Sequence, residues 1–122
     1  MRKTNKKTKQ EPQWIEAYRD SVAGFKYYDG QKADLAAGDE LKLVREPNNP
    51  HDPRAIAIYK GEFKIGHIKA PHCNKLLGFK RDGAQFRTRV VSYHPTNQSW
   101  DMCFILVEVA APTPAADNDL AL

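Results

Sequence analysis

The polar loop at residues 46–53 carries side chains suited to binding chemistry. Its sequence is Glu46-Pro47-Asn48-Asn49-Pro50-His51-Asp52-Pro53, so amides, carboxylates and an imidazole stand between three prolines. Proline fixes φ and removes a backbone donor, which makes such a loop stiff. Hydrogen-bonding side chains on a stiff loop are typical of a binding site. Asn48, Asn49 and Asp52 are therefore candidate ligand-binding residues, with capping of the turn by side-chain-to-backbone hydrogen bonds as the alternative.

Aromatic and basic side chains at residues 26–28 offer a second chemistry. Lys26 precedes two adjacent tyrosines, Tyr27 and Tyr28. Tyrosine rings stack on nucleic-acid bases for roughly 1–3 kcal/mol each, and lysine holds a phosphate as a point charge. Because consecutive residues of a strand point to opposite faces, the alternative is that one tyrosine belongs to the core.

A histidine near the middle of the chain is a third candidate. His67 lies in an alternating run in which Phe63, Ile65 and His67 are predicted to share one face. An imidazole there can donate to a phosphate or sugar oxygen, more strongly when it is protonated. The alternative is a half-buried strand histidine without a ligand.

Short β-strands are predicted to position these side chains. The predicted strands are residues 22–25, 41–44, 55–59, 63–68, 85–93 and 100–109, the last being the longest, while residues 14–18 read as a strand or a short helix. Cys73, Leu76, Leu77 and Lys80 have 3-4-7 spacing, which predicts a short amphipathic helix, and Pro71 suits its first helical position. The pattern predicts a mainly β fold, a small antiparallel OB-like β-barrel of about six strands with one or two short helices.

Composition and charge predict one domain at residues 13–110, between a basic disordered arm (1–12) and a flexible tail (111–122). Residues 1–10 hold five Lys/Arg and no acid, whereas residues 20–110 hold 13 Lys/Arg against 11 Asp/Glu. A basic arm attracts phosphate backbones without sequence preference, and a solubilising tail is the alternative. The charge of the domain itself does not diagnose nucleic-acid binding.

Several function classes lack support in the sequence. No apolar run approaches the roughly 20 residues that span a bilayer, and the N-terminus has no signal-peptide core, so we expect a cytoplasmic protein with no membrane contact, nucleoid association staying open. No nucleotide-binding GxxxxGK[ST] loop and no nucleophile elbow are present. The residues His51, Asp52, His67, His72 and Cys73 match no zinc spacing, and Cys73 and Cys103 are expected to be reduced. We therefore expect no cofactor, no metal and no enzymatic activity.

Three motifs together resemble the HIRAN domain family, in particular its stand-alone bacterial members. They are Gly24-x-x-Tyr27-Tyr28-x-Gly30, the loop Glu46-Pro47-Asn48-Asn49-Pro50-x-Asp52, and Gly66-His67-Ile68-Lys69. The resemblance covers about residues 20–109, and the loop is its most specific part. It implies a barrel related to the oligonucleotide-binding fold that binds single-stranded DNA at a free 3′ end. The site residues implied are Lys26, Tyr27, Tyr28, Asn48, Asn49, Asp52, His67, Lys69 and Trp100, with Tyr93 as an alternative to Trp100 and with Lys26 standing where the eukaryotic family has Arg.

A free 3′ end has a hydroxyl that donates and accepts, whereas an internal nucleotide has a charged phosphodiester there. Asp52 is suited to accept the hydroxyl proton and to repel a phosphate. The leading hypothesis is therefore a non-enzymatic module for 3′ ends in DNA repair or processing, which serves a helicase or nuclease partner. Two other hypotheses stay open: a general single-stranded nucleic-acid or protein-interaction barrel, and a small metal-dependent phosphoryl-transfer enzyme.

Overall fold

Six antiparallel β-strands and one α-helix form the fold of this chain, whose computed structural model describes residues 12–98 and 101–112. The strands are β1 (Ile15–Ser21), β2 (Glu40–Arg45), β3 (Ile56–Lys60), β4 (Phe63–His67), β5 (Gln85–Tyr93) and β6 (Cys103–Ala110), and the helix is α1 (Cys73–Arg81). Short 3₁₀ turns lie at Phe25–Tyr27, Gly30–Ala33 and Ala70–His72. The alternative that residues 14–18 form a helix is therefore wrong, because β1 covers most of them.

The strands follow the order β1-β6-β5-β2-β3-β4 in one curled sheet, a half-barrel. Just after β1, Ala23 forms an isolated antiparallel bridge to His67 of β4, with N–H···O distances of 2.9 and 3.0 Å. The bridge joins the two outer strands at one point. The curled sheet with one short helix confirms the predicted mainly β, barrel-like fold.

The concave side of the sheet holds the hydrophobic core. Its fully buried side chains come from the strands, from the Phe25 turn and from α1, and include Val22, Phe25, Ile58, Ile65, Leu76, Val90, Ile105 and Val107. Strand β6 is buried at nearly every position because β1 and β5 cover both of its edges. The core thus fixes the strands from which the polar loops extend.

The strand predicted at residues 22–25 is not formed. After the bridge at Ala23, Gly24 adopts a left-handed φ of 71°, and a 3₁₀ turn at Phe25–Tyr27 follows. Phe25 is buried, and a Cβ at Gly30 would lie 2.2 Å from its ring. The segment therefore folds around the Phe25 ring, which places the two following tyrosines on a turn and not on a strand.

A bulge in β4 overturns the prediction that Phe63, Ile65 and His67 share one face. Tyr59 of β3 pairs with Lys64, whereas the next residue, Ile58, pairs with Gly66. Ile65 therefore has no opposite residue, and the extra residue reverses the alternation of β4. Lys64 and His67 consequently reach the same carboxylate, that of Glu46.

The later elements follow the sequence pattern closely. Helix α1 begins at Cys73, so the prediction that Pro71 takes its first position is wrong; Pro71 lies in the preceding 3₁₀ turn. Strand β5 has the predicted bounds, and with nine residues it is longer than the eight of β6. Strand β6 begins at Cys103, so the predicted start at residue 100 was too early.

Candidate functional site

The carboxylate of Glu46 is the centre of a hydrogen-bonded cluster at the end of β2. It accepts from Nζ of Lys64 at 2.5 Å and from Nδ2 of Asn49 at 2.9 Å, and Nε2 of His67 lies 2.8 Å from its Oε1. Its backbone N–H donates to the carbonyl of Ala55 at 3.0 Å. The root of the 46–53 loop is thereby attached to the bulged strand β4.

Hydrogen bonding dominates the ionisation of this cluster. Burial by itself would raise the pKa of Glu46, but the hydrogen bonds from Lys64, His67 and Asn49 outweigh it and lower the pKa to about 2. Burial likewise acts to lower the pKa of Lys64, yet the bond to Glu46 raises it above its ordinary value. Glu46 is therefore a carboxylate and Lys64 an ammonium at neutral pH.

Side chains of the 46–53 loop hold the loop's own backbone. Oδ1 of Asn49 accepts from the N–H groups of His51 and Asp52, at 2.8 and 3.1 Å. Oδ1 of Asp52 accepts from the N–H of Arg54 at 2.9 Å. The capping alternative is thus confirmed for Asn49 and Asp52, while Asn48 is exposed on the loop surface.

The two tyrosines of the sequence motif lie beside this cluster. The ring of Tyr28 meets the His67 ring edge-on at a centroid distance of 5.3 Å, and Nζ of Lys64 lies 4.8 Å from its centroid. Tyr27 is 75% exposed and Tyr28 is 38% exposed. The alternative that one of them belongs to the core is therefore wrong.

The turn that carries the tyrosines is fixed at both ends. The bridge between Ala23 and His67 holds its start, and the N–H of Asp29 donates to the carbonyl of Lys64 at 2.9 Å beyond it. Exposed Lys26 lies on the same turn, with Nζ 5.2 Å from the ring centroid of Tyr27. Two aromatic rings and two lysines are presented together as a result.

The structure brings some of the predicted site residues together and separates others. Tyr28, Asn49 and His67 meet around Glu46, with Lys26, Tyr27 and Asn48 next to them. Asp52 lies on the other side of Asn49, where the Arg54 that it binds extends towards Asn74 of α1 at 3.4 Å.

Two further candidates lie elsewhere in the described structure. Nζ of Lys69 forms an ion pair with Asp20 at 2.9 Å, on the β1 side of the half-barrel. Tyr93 is half-buried, with its ring 5.9 Å from that of Phe25. Trp100 lies outside the described residues.

Sequence reasoning missed Glu46 and Lys64 as members of the site. Both line a shallow depression of about 440 Å³ together with Arg45, Pro47, Asn48, Asn49 and Pro50. Glu46 was visible as the first residue of the loop motif, but an acid before Pro reads as turn chemistry. Lys64 was not predicted, because the regular alternation of a strand would place its side chain on the face opposite to that of His67. Only the bulge brings the two side chains to the same side.

The two cysteine thiols are not activated as nucleophiles. Burial raises the pKa of the Cys103 thiol to about 12, and burial also raises that of Cys73. Within residues 12–98 and 101–112, no three His, Cys, Asp or Glu side chains are grouped in a way that could hold a metal ion. None of the helices in that part of the chain is long and apolar enough to cross a membrane.

A family model for the HIRAN domain matches residues 15–110, which include every strand and the Glu46 cluster. This chain belongs to the HIRAN domain family. The predicted resemblance, placed at about residues 20–109, is thereby confirmed. No curated protein sequence matches the chain significantly.

Solved structures share the HIRAN fold with this chain. The crystal structure of the HIRAN domain of human HLTF has a TM-score of 0.64 at 22% identity, covering 87% of this chain and 88% of that one. A Lactobacillus plantarum protein has a TM-score of 0.64 at 19% identity, covering 82% and 97%. An NMR structure of the human HLTF HIRAN domain in its DNA-bound conformation has a TM-score of 0.57 at 23% identity, covering 89% and 88%. At these identities the likeness establishes the fold of this HIRAN domain.

Proposed function

We propose that this HIRAN domain binds single-stranded DNA, recognises its free 3′ end and catalyses no reaction on it. The observation that carries the proposal is the pair of exposed tyrosines, Tyr27 and Tyr28, held on a turn beside Lys26 and Lys64. The human HLTF HIRAN domain, whose fold is similar, has been solved in a DNA-bound conformation. Membership of the same family supports nucleic-acid binding by this chain.

Two kinds of contact contribute to the proposed binding: tyrosine rings stack on bases, and lysine side chains contact phosphates. Every base has a π-face, so exposed tyrosines bind single strands with little sequence preference. Exposed Lys26, which has no ion-pair partner among the described residues, provides positive charge for a phosphodiester, whereas Lys64 shares its charge with Glu46. Most of the affinity comes from phosphate contacts. Because the turn is already bonded to β4 through Asp29, the rings lose little conformational freedom on binding.

Recognition of the 3′ end is assigned to the carboxylates and amides of the 46–53 loop. The carboxylate of Glu46 accepts from Nδ2 of Asn49, and the backbone N–H of Asp52 donates to Oδ1 of the same amide, so Asn49 connects the two acidic residues. A terminal hydroxyl fits beside such groups, whereas a 3′-phosphate or a continuing strand is repelled. Oδ2 of Asp52 and the exposed amide of Asn48 are the groups proposed to bind the hydroxyl.

Fluorescence-anisotropy titrations with matched oligonucleotides test this function. We expect the single strand with a 3′-hydroxyl to bind most tightly, and the same strand with a 3′-phosphate and a blunt duplex to bind more weakly. Equal affinity for the hydroxyl and phosphate forms would remove the 3′-end proposal while leaving single-strand binding intact. Absence of binding to all three would remove the nucleic-acid function altogether.

The non-catalytic part of the proposal has a separate test. The raised thiol pKa values of Cys73 and Cys103 oppose their use as nucleophiles, since the thiolate is the reactive form. Labelled single-stranded DNA incubated with the protein and Mg²⁺, Mn²⁺ or Zn²⁺ is expected to stay intact. Turnover with any of these ions would contradict the proposal. A binding module of this kind would serve a helicase or nuclease partner in DNA repair or processing.

A further inference from the structure

We propose that the opening between β2 and β5 binds an extended peptide in which apolar residues alternate with acidic ones. Strand β2 pairs with β5 only through Glu40–Arg89 and Leu41–Thr88, after which the two strands separate. The space between them is a groove of about 890 Å³, here called the β2–β5 groove. It is about twice the size of the depression beside Glu46, and Arg45 lines both.

The first observation is a free strand edge inside this groove. Successive residues of an antiparallel strand direct their backbone groups to alternate sides. Glu46 bonds across to Ala55 next to β3, so Val44 and Lys42 also face β3. Leu43 and Arg45 therefore direct their N–H and C=O groups towards the groove, where no strand of the described chain pairs with them. A peptide added as a strand would satisfy these four groups.

The second observation is the apolar floor of the groove. Its apolar lining residues, contributed by β2, β3, β5 and α1, are Leu41, Leu43, Ile56, Leu76, Leu77 and Phe86. Leu43, Leu77 and Phe86 are only half-buried, so they expose apolar surface to an occupant. Side chains at alternate positions of an added strand point into this floor, which therefore favours apolar residues there.

The third observation is the charge at the rim. Lys42, Arg45 and Lys80 line the groove, are exposed, and form no ion pair with any residue in 12–98 or 101–112. Arg87 is already bonded to Glu108 at 2.8 Å, and Glu40 is the acid in the lining. An occupant whose outward-facing side chains are acidic complements the three lysine and arginine side chains.

These observations favour a peptide over nucleic acid. Five of the lining side chains are aliphatic and two, Tyr59 and Phe86, are aromatic, whereas bases bind by stacking on aromatic rings. A free strand edge also offers donors and acceptors at the spacing of another peptide backbone. Lysine and arginine at a strand edge discourage pairing between identical chains, so they select an acidic partner strand over a second copy.

Backbone hydrogen exchange of the full chain, followed residue by residue by NMR, tests the proposal. The probe is a synthetic capped peptide of sequence Asp-Leu-Asp-Leu-Asp-Leu. Without it, the amides of Leu43 and Arg45 are expected to exchange quickly, while those of Val44 and His67 exchange slowly. With the probe at ten times its Kd, exchange at Leu43 and Arg45 is expected to slow by about tenfold, because only the free form then exchanges.

Matched controls distinguish specific strand pairing of the peptide from general electrostatic attraction. Lys42→Glu combined with Lys80→Glu should weaken peptide binding strongly, whereas Lys75→Glu, at an exposed position of α1 that does not line the groove, should not. A peptide of the same length with Lys in place of Asp should not bind. No slowing at Leu43 and Arg45, or equal binding of both peptides, would overturn the proposal.

Other occupants appear as distinct outcomes of the same experiment. Residues 117–122 of this chain, Asp-Asn-Asp-Leu-Ala-Leu, also contain acidic and apolar side chains, although the two do not alternate. If Leu43 and Arg45 exchange slowly without added peptide and at every protein concentration, the chain itself fills the groove. If that protection appears only at high protein concentration, a second copy fills it. Either result would overturn the assignment to a separate peptide partner.

Discussion

The half-barrel has two seams, one closed and one open, and the difference between them separates two kinds of surface. At the closed seam, Ala23 and His67 join the ends of β1 and β4 by two backbone hydrogen bonds. At the open seam, β2 and β5 separate after Leu41 and leave backbone groups unpaired. The closed seam therefore holds the neighbouring side chains in place, whereas the open seam leaves backbone groups of β2 without a partner strand among the described residues.

The two seams also differ in whether their charged side chains form ion pairs. Beside the closed seam, Lys64 forms an ion pair with Glu46, and Lys69 forms one with Asp20. Along the open seam, Lys42 and Lys80 have no acidic partner in the described part of the chain. Paired charges hold a defined geometry, whereas unpaired charges attract an oppositely charged partner from solution.

Gly66→Ala should have the largest effect on stability, because its added methyl group would clash with residues at the closed seam. Gly66 has a φ of 148°, and a Cβ there would lie 2.4 Å from Cγ1 of Val22 and 2.6 Å from the carbonyl of Ala23. We expect a loss of about 3 kcal/mol in the free energy of unfolding, measured by urea denaturation. Gly61→Ala, with φ of 58° but open space around it, is the control and should lose only about 1 kcal/mol. Equal losses would show that the seam is not tightly packed.

Glu46→Gln should come next, with a loss of about 2 kcal/mol in unfolding free energy at neutral pH, since a charged hydrogen-bond acceptor is removed. The pKa of Glu46 is lowered from 4.5 to about 2, so its charged form stabilises the fold. That stabilisation is complete above the unfolded pKa and is lost as the pH falls from about 4.5 towards about 2. The difference between wild type and variant should therefore shrink over this range. Glu62→Gln, in an exposed turn, is the control; a difference independent of pH would contradict the ionic role of Glu46.

Tyr27→Ala should leave stability unchanged and weaken single-stranded DNA binding by about 1–2 kcal/mol, because an exposed stacking platform is lost. Anisotropy titration measures the affinity, and thermal denaturation checks the fold. Lys42→Ala, at the open seam, is the matched surface variant and should change the affinity much less. The reverse order of effects would move the proposed DNA site to the β2–β5 groove.

Asp52→Asn should have the smallest effect, a loss of about 1 kcal/mol in the preference for a 3′-hydroxyl over a 3′-phosphate. Total affinity should change little, because phosphate contacts with the lysines supply most of it. Competition titrations with the two oligonucleotides measure the ratio of their dissociation constants. Lys26→Gln is the counterpart, and it should weaken both oligonucleotides equally. An unchanged ratio in Asp52→Asn would leave Glu46 as the carboxylate responsible for end preference.

The strands with strong alternation and the helix were predictable, since each depends on local periodicity. The bounds of β5 agree with the prediction, and α1 includes the predicted amphipathic residues from Cys73 to Lys80. The turn at Phe25–Tyr27 was not predictable, because an apolar Val-Ala-Gly-Phe run also fits a strand. What decides it is the burial of the Phe25 ring against Gly30, a contact that the sequence pattern does not reveal.

The sequence by itself determined the family, the mainly β fold and the stiff loop with Asn49 and Asp52, because these depend on residue types at fixed spacing. Tertiary structure alone decided how the candidate site is assembled. The β4 bulge brings Lys64 and His67 to Glu46, and the closed seam places Tyr28 beside them. The open seam is likewise a tertiary result, since the separation of β2 from β5 depends on how far the sheet curls. Packing fixes the register between strands that are distant in sequence, so this register could not be predicted from the local order of residues.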